Sequence, residues 1–211
     1  MRQEERRRVA AHQRCHFNEL VDVFDAPQPL DVMERLREIV SGANLRPGEV
    51  VMDVGTGVGV LVPLIKFYHP SAVFVCDLAE KMLQRVREKY PDVHTNHADI
   101  TVLRLESDSL DVIFMNAMFG NIADKPRACQ NAARMLRTGG RLIVSHPEGR
   151  AFIDQLRLTT DLFIESLPTR EEFQALLSPF GLDVITYQDE PHLYLVVARK
   201  KKETAGSEEL I

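Results

Sequence analysis

Asp53 and the glycines that follow it, in Val51-Met-Asp-Val-Gly55-Thr56-Gly57-Val-Gly59, hold the strongest chemical signal in the chain. Three alternate glycines let a backbone turn sharply and approach a ligand where any Cβ would intrude. A Gly-x-Gly-x-Gly run alone is shared by several cofactor sites, and the dinucleotide pattern asks for a third glycine where Val60 stands. A pyrophosphate is drawn to the positive end of a helix, and a carboxylate in the same turn repels it. Asp53 instead suits a ligand that carries an amino group and a cationic centre. Asp77 is placed either to accept from ribose hydroxyls or to cap the helix that follows. Asp99 reads as a ligand contact or as a turn residue. His146, in Ser145-His-Pro-Glu-Gly-Arg150, has the titration range of a general base, or is held by a loop carbonyl. His192 has the same two readings. His12, Cys15 and His16 share a face if helical, which leaves a metal site or a solvated surface.

These residues sit where strands end. Val50 to Val54 is a short β-branched apolar run of the kind buried on both faces of a sheet. Leu61, Leu64, Ile65 and Tyr68 then recur at helical spacing, and Pro63 fits a first turn, so the spacing predicts a helix from Gly59 or Val60. Further strands are expected at 72–76, 93–98, 110–115 and 141–145, with helices at 79–90, 125–137, 149–165 and 169–180. Thr138-Gly139-Gly140 reads as a stop after the helix expected at 125–137. Runs at 182–187 and 193–198 are separated by five residues, too few for a parallel crossover, and are expected to form an antiparallel hairpin. Before the first strand, helices are predicted over 9–25 and 31–41, with Phe17, Leu20 and Phe24 as lid packing and residues 1–8 as a frayed start. The sum is a doubly wound α/β sheet with an antiparallel edge, in which ligands bind beyond the carboxyl ends of the strands.

The chain of 211 residues is short enough for one domain and carries a net charge of −5, without the basic field that holds nucleic acid. Three cysteines offer no pairing framework, and the charged first eight residues are unlike a signal peptide, so a reduced cytoplasmic protein is expected. No apolar run reaches the ~20 residues of a membrane span.

As a set, Val51-Met-Asp-Val-Gly-Thr-Gly-Val-Gly59, Val75-Cys-Asp-Leu-Ala-Glu-Lys-Met-Leu83, His97-Ala-Asp-Ile100, Asp111-Val-Ile-Phe-Met115 and Met135-Leu-Arg-Thr-Gly-Gly-Arg-Leu-Ile143 resemble the successive motifs of class I S-adenosylmethionine-dependent methyltransferases. Residues 45–198 carry the likeness, and the small-molecule branch that includes ubiquinone/menaquinone-biosynthesis methyltransferases is the most similar. The resemblance implies a Rossmann-like seven-stranded sheet, five parallel steps plus a C-terminal antiparallel hairpin, with helices on both faces. It implies a single domain with a helical cap over 9–42, a core over 43–199 and a disordered tail over 200–211. S-adenosylmethionine would be the cofactor, with its methionine part on Asp53, Gly55, Thr56, Gly57 and Gly59. Asp77 would take its ribose, Leu78, Asp99 and Ile100 its adenine, and Asn116 would line the passage to the methyl group. No metal is implied. The last strand would lie between the fifth and sixth, bringing His192 near His146. Asn116-Ala-Met-Phe119 keeps the outer residues of the Asn-Pro-Pro-Phe/Tyr signature of exocyclic-amine methyltransferases but neither proline, which argues against base or amide methylation. The expected reaction is in-line methyl transfer to a small-molecule acceptor, with His146 as first choice for a base, by a monomer or homodimer. A non-catalytic methyltransferase-like module and a nicotinamide-dependent reductase are the rival readings.

Overall fold

The computed structural model describes residues 1–202; of the tail expected to be disordered over 200–211, Lys200 instead ends the last strand and residues 203–211 lie outside the described residues. Seven strands form one sheet: β1 (Val50–Val54), β2 (Ala72–Asp77), β3 (His94–His97), β4 (Leu110–Asn116), β5 (Leu136–His146), β6 (Leu182–Glu190) and β7 (Leu193–Lys200). Their order is β3-β2-β1-β4-β5-β7-β6, with β1 to β5 parallel and β7 antiparallel to both neighbours. The expected architecture and the place of the last strand are both observed. β7 enters the sheet with Tyr194 opposite His146.

Helices α4 (Val62–Lys66), α5 (Glu80–Lys89), α6 (Lys125–Met135), α7 (Gly149–Thr159) and α8 (Arg170–Leu177) cover the faces, and α1 (Gln3–Glu19), α2 (Val21–Asp25) and α3 (Leu30–Gly42) precede the sheet. Side-chain alternation along the strands makes two cores. Met52, Val54, Ile113 and Val144 face one side, and Val51, Val75, Val112 and Ile143 face the other with α3, α4 and α5. Burial on both faces explains why the central strands read as unbroken apolar runs. Arg141, buried in β5, donates to the carbonyls of Ala43 (2.7 Å) and Asn44 (3.2 Å) and pairs with Glu49 (2.8 Å). Carbonyls left free at the end of α3 thus meet a charge that needs them.

Several boundaries differ from the sequence expectation. The first helix starts at Gln3, because Arg6 is held by Asp124 ahead of α6 rather than by an apolar stripe of the helix's own, and it breaks at Leu20. α4 begins only at Val62, after the glycine turn has closed, with Pro63 in its first turn as expected. Thr138-Gly139-Gly140 lies inside β5, where the register against β4 jumps from Leu110–Leu136 to Val112–Arg141. The glycines serve that bulge. α7 stops at Thr159 because the next segment doubles back along it. Arg157 Nε donates to the Ile164 carbonyl (3.1 Å), and Ser166 to Asp154 (2.5 Å). The closing hairpin has longer strands than expected and only Pro191 and His192 between them.

Candidate functional site

In the order 3-2-1-4-5 the chain reverses direction of travel between β1 and β4, and a crevice opens beyond their carboxyl ends. Here it is a cavity of about 760 Å3, floored by strand ends and roofed by α1. The first glycine is set by close packing. Gly55 has φ +67°, and a Cβ there would lie 2.7 Å from the Met118 side chain. The turn after β1 therefore fits beneath the turn after β4 only without a side chain.

Asp77 ends β2 and ties two loops together. Its Oδ2 accepts from the Gly57 N–H (2.9 Å) and its Oδ1 from the Ala79 N–H (2.8 Å). The capping position of α5 is Ala79, so Asp77 acts ahead of the helix rather than as its cap. Each carboxylate oxygen has a second lone pair to offer a ligand, so its structural and ligand-binding readings coexist. Burial raises its pKa from the usual carboxylate range, against the pull of the backbone donors. Asp53 is more enclosed. Its single side-chain partner is Thr56, whose hydroxyl donates to Oδ2 at 2.7 Å. Burial pushes Asp53 up to about 7, helped by the charge of Asp77. A buried carboxylate with no cation beside it is a receptor for positive charge.

Asp99 accepts from the Thr101 N–H at 2.7 Å, while also facing the cavity beside Ile100 and Leu78. That bond is the one a turn aspartate makes to its own backbone. His97 bridges the Leu78 carbonyl (2.9 Å) and Glu80 (3.2 Å), which fixes the loop that carries Leu78. Asn116 ends β4 inside the cavity, its Oδ1 accepting from Ser145 Oγ at 2.9 Å. Ala117 follows with φ +54° and donates its N–H to the Ser145 carbonyl (2.8 Å). Proline can adopt neither that angle nor that bond, so the absence of the signature's first proline, at Ala117, is a requirement of this backbone.

The structure therefore brings Asp53, Gly55, Thr56, Gly57, Asp77, Leu78, Asp99, Ile100 and Asn116 to one cavity. Gly59 stands outside the lining. Its φ of +83° and the Tyr90 and Val86 side chains, 3.1 and 3.3 Å from a Cβ there, give it a packing role against α5. His146 is also outside. It is buried against Phe152, ring centroids 5.5 Å apart, its Nδ1 accepts from the Glu148 N–H (3.1 Å), and burial pushes its pKa down to about 4. His192 is exposed at the hairpin turn, away from the cavity wall. Along α1, His12 faces Asp161 (3.9 Å) and His16 packs on Phe17. No group of three acidic, histidine or cysteine side chains able to hold a metal occurs among the described residues.

The roof begins earlier than the cap expected over 9–42, and its polar lining was not read from the sequence. Gln3, Arg6, Ala10, Gln13 and Phe17 all line the cavity, and their spacing of 3, 4, 3 and 4 is a helical stripe hidden by its polarity. Gln13 is buried and donates to the carbonyls of Asn121 (2.9 Å) and Phe163 (3.1 Å). Arg6 pairs with Asp124 at one end of the roof, and at the other the Lys81 N–H donates to Asn18 (3.0 Å). Phe17 and Phe24 meet edge to face at 6.0 Å, so the expected lid packing also forms cavity wall.

Residues 52–144 match the family model described as a methyltransferase domain. The ubiquinone/menaquinone biosynthesis C-methyltransferase UbiE of Vibrio campbellii is 35% identical over 118 residues, 51% of this chain and 45% of that one. The chain thus spans less than half the length of the first curated relatives it matches. Among solved structures, a chain from the complex of the Haloferax volcanii Trm112 methyltransferase activator and its methyltransferase superposes with a TM-score of 0.76 at 17% identity, over 88% of this chain and 98% of that one. An S-adenosylmethionine-dependent methyltransferase from Mesorhizobium loti gives 0.67 at 19% identity, over 80% and 99%.

Proposed function

We propose that the chain, whose residues 52–144 match a methyltransferase domain, is a class I methyltransferase that uses S-adenosylmethionine to methylate a small-molecule acceptor by in-line displacement. The observation that carries the reading is the pair of buried aspartates at adjacent strand ends, Asp53 and Asp77, under a helical roof. Their chemistry fits the cofactor. Asp53 matches a ligand with a cationic centre and an ammonium group, and Asp77 offers two lone pairs to a diol. The cofactor supplies an activated methyl group on a sulfonium, already an excellent leaving group.

What this chain adds is position and dryness. Asp77, Leu78, Asp99 and Ile100 fix one end of the ligand, the Gly55–Gly57 turn and Asp53 the other, and Asn116 stands between them. α1 excludes water from above. Alignment and desolvation of this kind can supply most of the acceleration of a displacement. Among the described residues the cavity wall contains no histidine, lysine, glutamate, tyrosine or serine, and its aspartates are assigned to the cofactor or to Arg6, so an acceptor that needs no separate base suits it best. A roofed cavity also suits a free small molecule better than a residue of a folded polymer. The three free cysteines, with no pairing framework among the described residues, extend the proposal to a reduced, cytoplasmic setting, with the domain acting as a monomer or homodimer. Calorimetry with S-adenosylmethionine and its demethylated product tests the reading: micromolar or tighter binding is expected, and no binding of either refutes it.

A further inference from the structure

The cavity is divided by charge. Its floor carries Asp53, Asp77 and Asp99, whereas Arg6, Arg7 and Arg127 line it from the roof and from α6. The sulfonium and ammonium of the cofactor answer the floor but not the arginines. One acidic side chain, Asp124, meets them, and it is taken by Arg6. Arg6 Nε is nonetheless buried without a hydrogen-bond partner, a costly state for a donor on a ligand cavity. Arg127 has its Nε fixed on the Thr101 carbonyl at 3.0 Å, which holds the guanidinium in place. Arg7 makes no ion pair among the described residues. Around these groups the wall mixes Val9, Phe17, Val102, Met118 and Ile122 with the amides of Gln3, Gln28 and Asn121.

Resting on the methyltransferase reading, we propose that the acceptor is a compact apolar molecule bearing a carboxylate or phosphate, held by Arg6, Arg7 and Arg127. Guanidinium groups match both anions with paired N–H donors, and the half-buried Arg6 is the most enclosed of the three. The anion would dock at the roof, opposite the aspartates, and present the nucleophile toward Asn116. Such a division also orients the acceptor, because its charged end is repelled by the floor.

The cofactor's own carboxylate has the same chemistry, so the test must separate the two sources. The protein is saturated with S-adenosylhomocysteine, whose affinity is measured first. Benzoate, phenyl phosphate and the neutral benzamide are then titrated calorimetrically into that complex. One or both anions are expected to bind at least about tenfold more tightly than benzamide, a preference that weakens with salt. Arg7→Gln and Arg127→Gln should each cut the preference several-fold while leaving S-adenosylhomocysteine affinity within about twofold. Asp124→Asn, which releases Arg6, should increase it. Equal binding of anions and benzamide, or no binding of any probe, overturns the proposal. So does loss of S-adenosylhomocysteine affinity in the arginine variants with the anion preference intact, which would assign these residues to the cofactor. Failure of S-adenosylhomocysteine to bind the wild-type protein strikes the methyltransferase reading itself.

Discussion

Asp53→Asn separates what Asp53 does for the empty protein from what it does for a ligand. In the folded protein its carboxyl titrates at about 7 rather than at the ordinary 3.8, chiefly because it is buried. The folded state therefore holds a proton that the unfolded chain gives up, and stability falls as pH rises between those two values. At 1.36 kcal/mol per decade the whole difference corresponds to roughly 4 kcal/mol, present in full above pH 7. At pH 5 only about 1.5 kcal/mol of it has appeared. Asparagine never ionises and keeps an oxygen for Thr56. The variant should accordingly be more stable than the wild type, by a margin that widens by about 2–3 kcal/mol from pH 5 to pH 8. For a chain of this size that is a divergence of roughly 5–10 °C in melting temperature. Ligand binding should show the reverse. A cationic ligand draws Asp53 into its ionised form, so S-adenosylmethionine binding near pH 6 should release a proton, measurable in two buffers of different ionisation enthalpy. Asp53→Asn should bind more weakly and release none. A stability gap that stays constant from pH 5 to 8 would refute the reasoning, whatever its sign.

Three further outcomes are expected. Asp77→Ala strands the N–H groups of Gly57 and Ala79 and removes the diol acceptor. Cofactor affinity by calorimetry should then fall at least about 100-fold, with Asp77→Asn losing less. Gly55→Ala combines a left-handed backbone with a Cβ 2.7 Å from Met118, and should lower both thermal stability and cofactor binding. Adding Met118→Ala removes the clash but leaves the backbone strain, and should restore part of each. His146→Ala removes a neutral ring outside the cavity, so turnover on an identified acceptor should stay within a few-fold while the melting temperature drops. Abolished turnover with unchanged cofactor binding would instead make His146 the base.

The sheet was legible because its strands are buried on both faces and must be apolar throughout, as in Val50 to Val54. The floor was legible for a related reason. Asp53 and Asp77 are carboxylates at the carboxyl ends of such runs, where nothing but a ligand or a turn explains them, whereas Asp99 follows the polar β3 and was singled out by the family motif around it. What stayed hidden depends on contacts across the fold. Residues 3–8 look like a solvated start, yet Arg6 meets Asp124, 118 positions away. Gln13 is buried because two distant carbonyls need a donor, a demand that no local pattern records. His146 shows the converse. Its place at a strand end was read correctly, but the ring turns into the packing under Phe152, and side-chain direction at a strand end depends on neighbours that sequence spacing does not reveal.

The roof has a consequence for how such a protein changes over time. Its cavity-lining stripe, Gln3 to Phe17, lies entirely before residue 52, where the methyltransferase family match begins. The groups proposed to hold the cofactor lie within that match, whereas Arg6, Arg7, Gln13 and Phe17 come from a separate stretch that touches the core at a few points. Substitutions along α1 can thus accumulate without disturbing the floor. Transplanting that stretch between related chains would be a route to new acceptor preference on an unchanged methyl-donor platform.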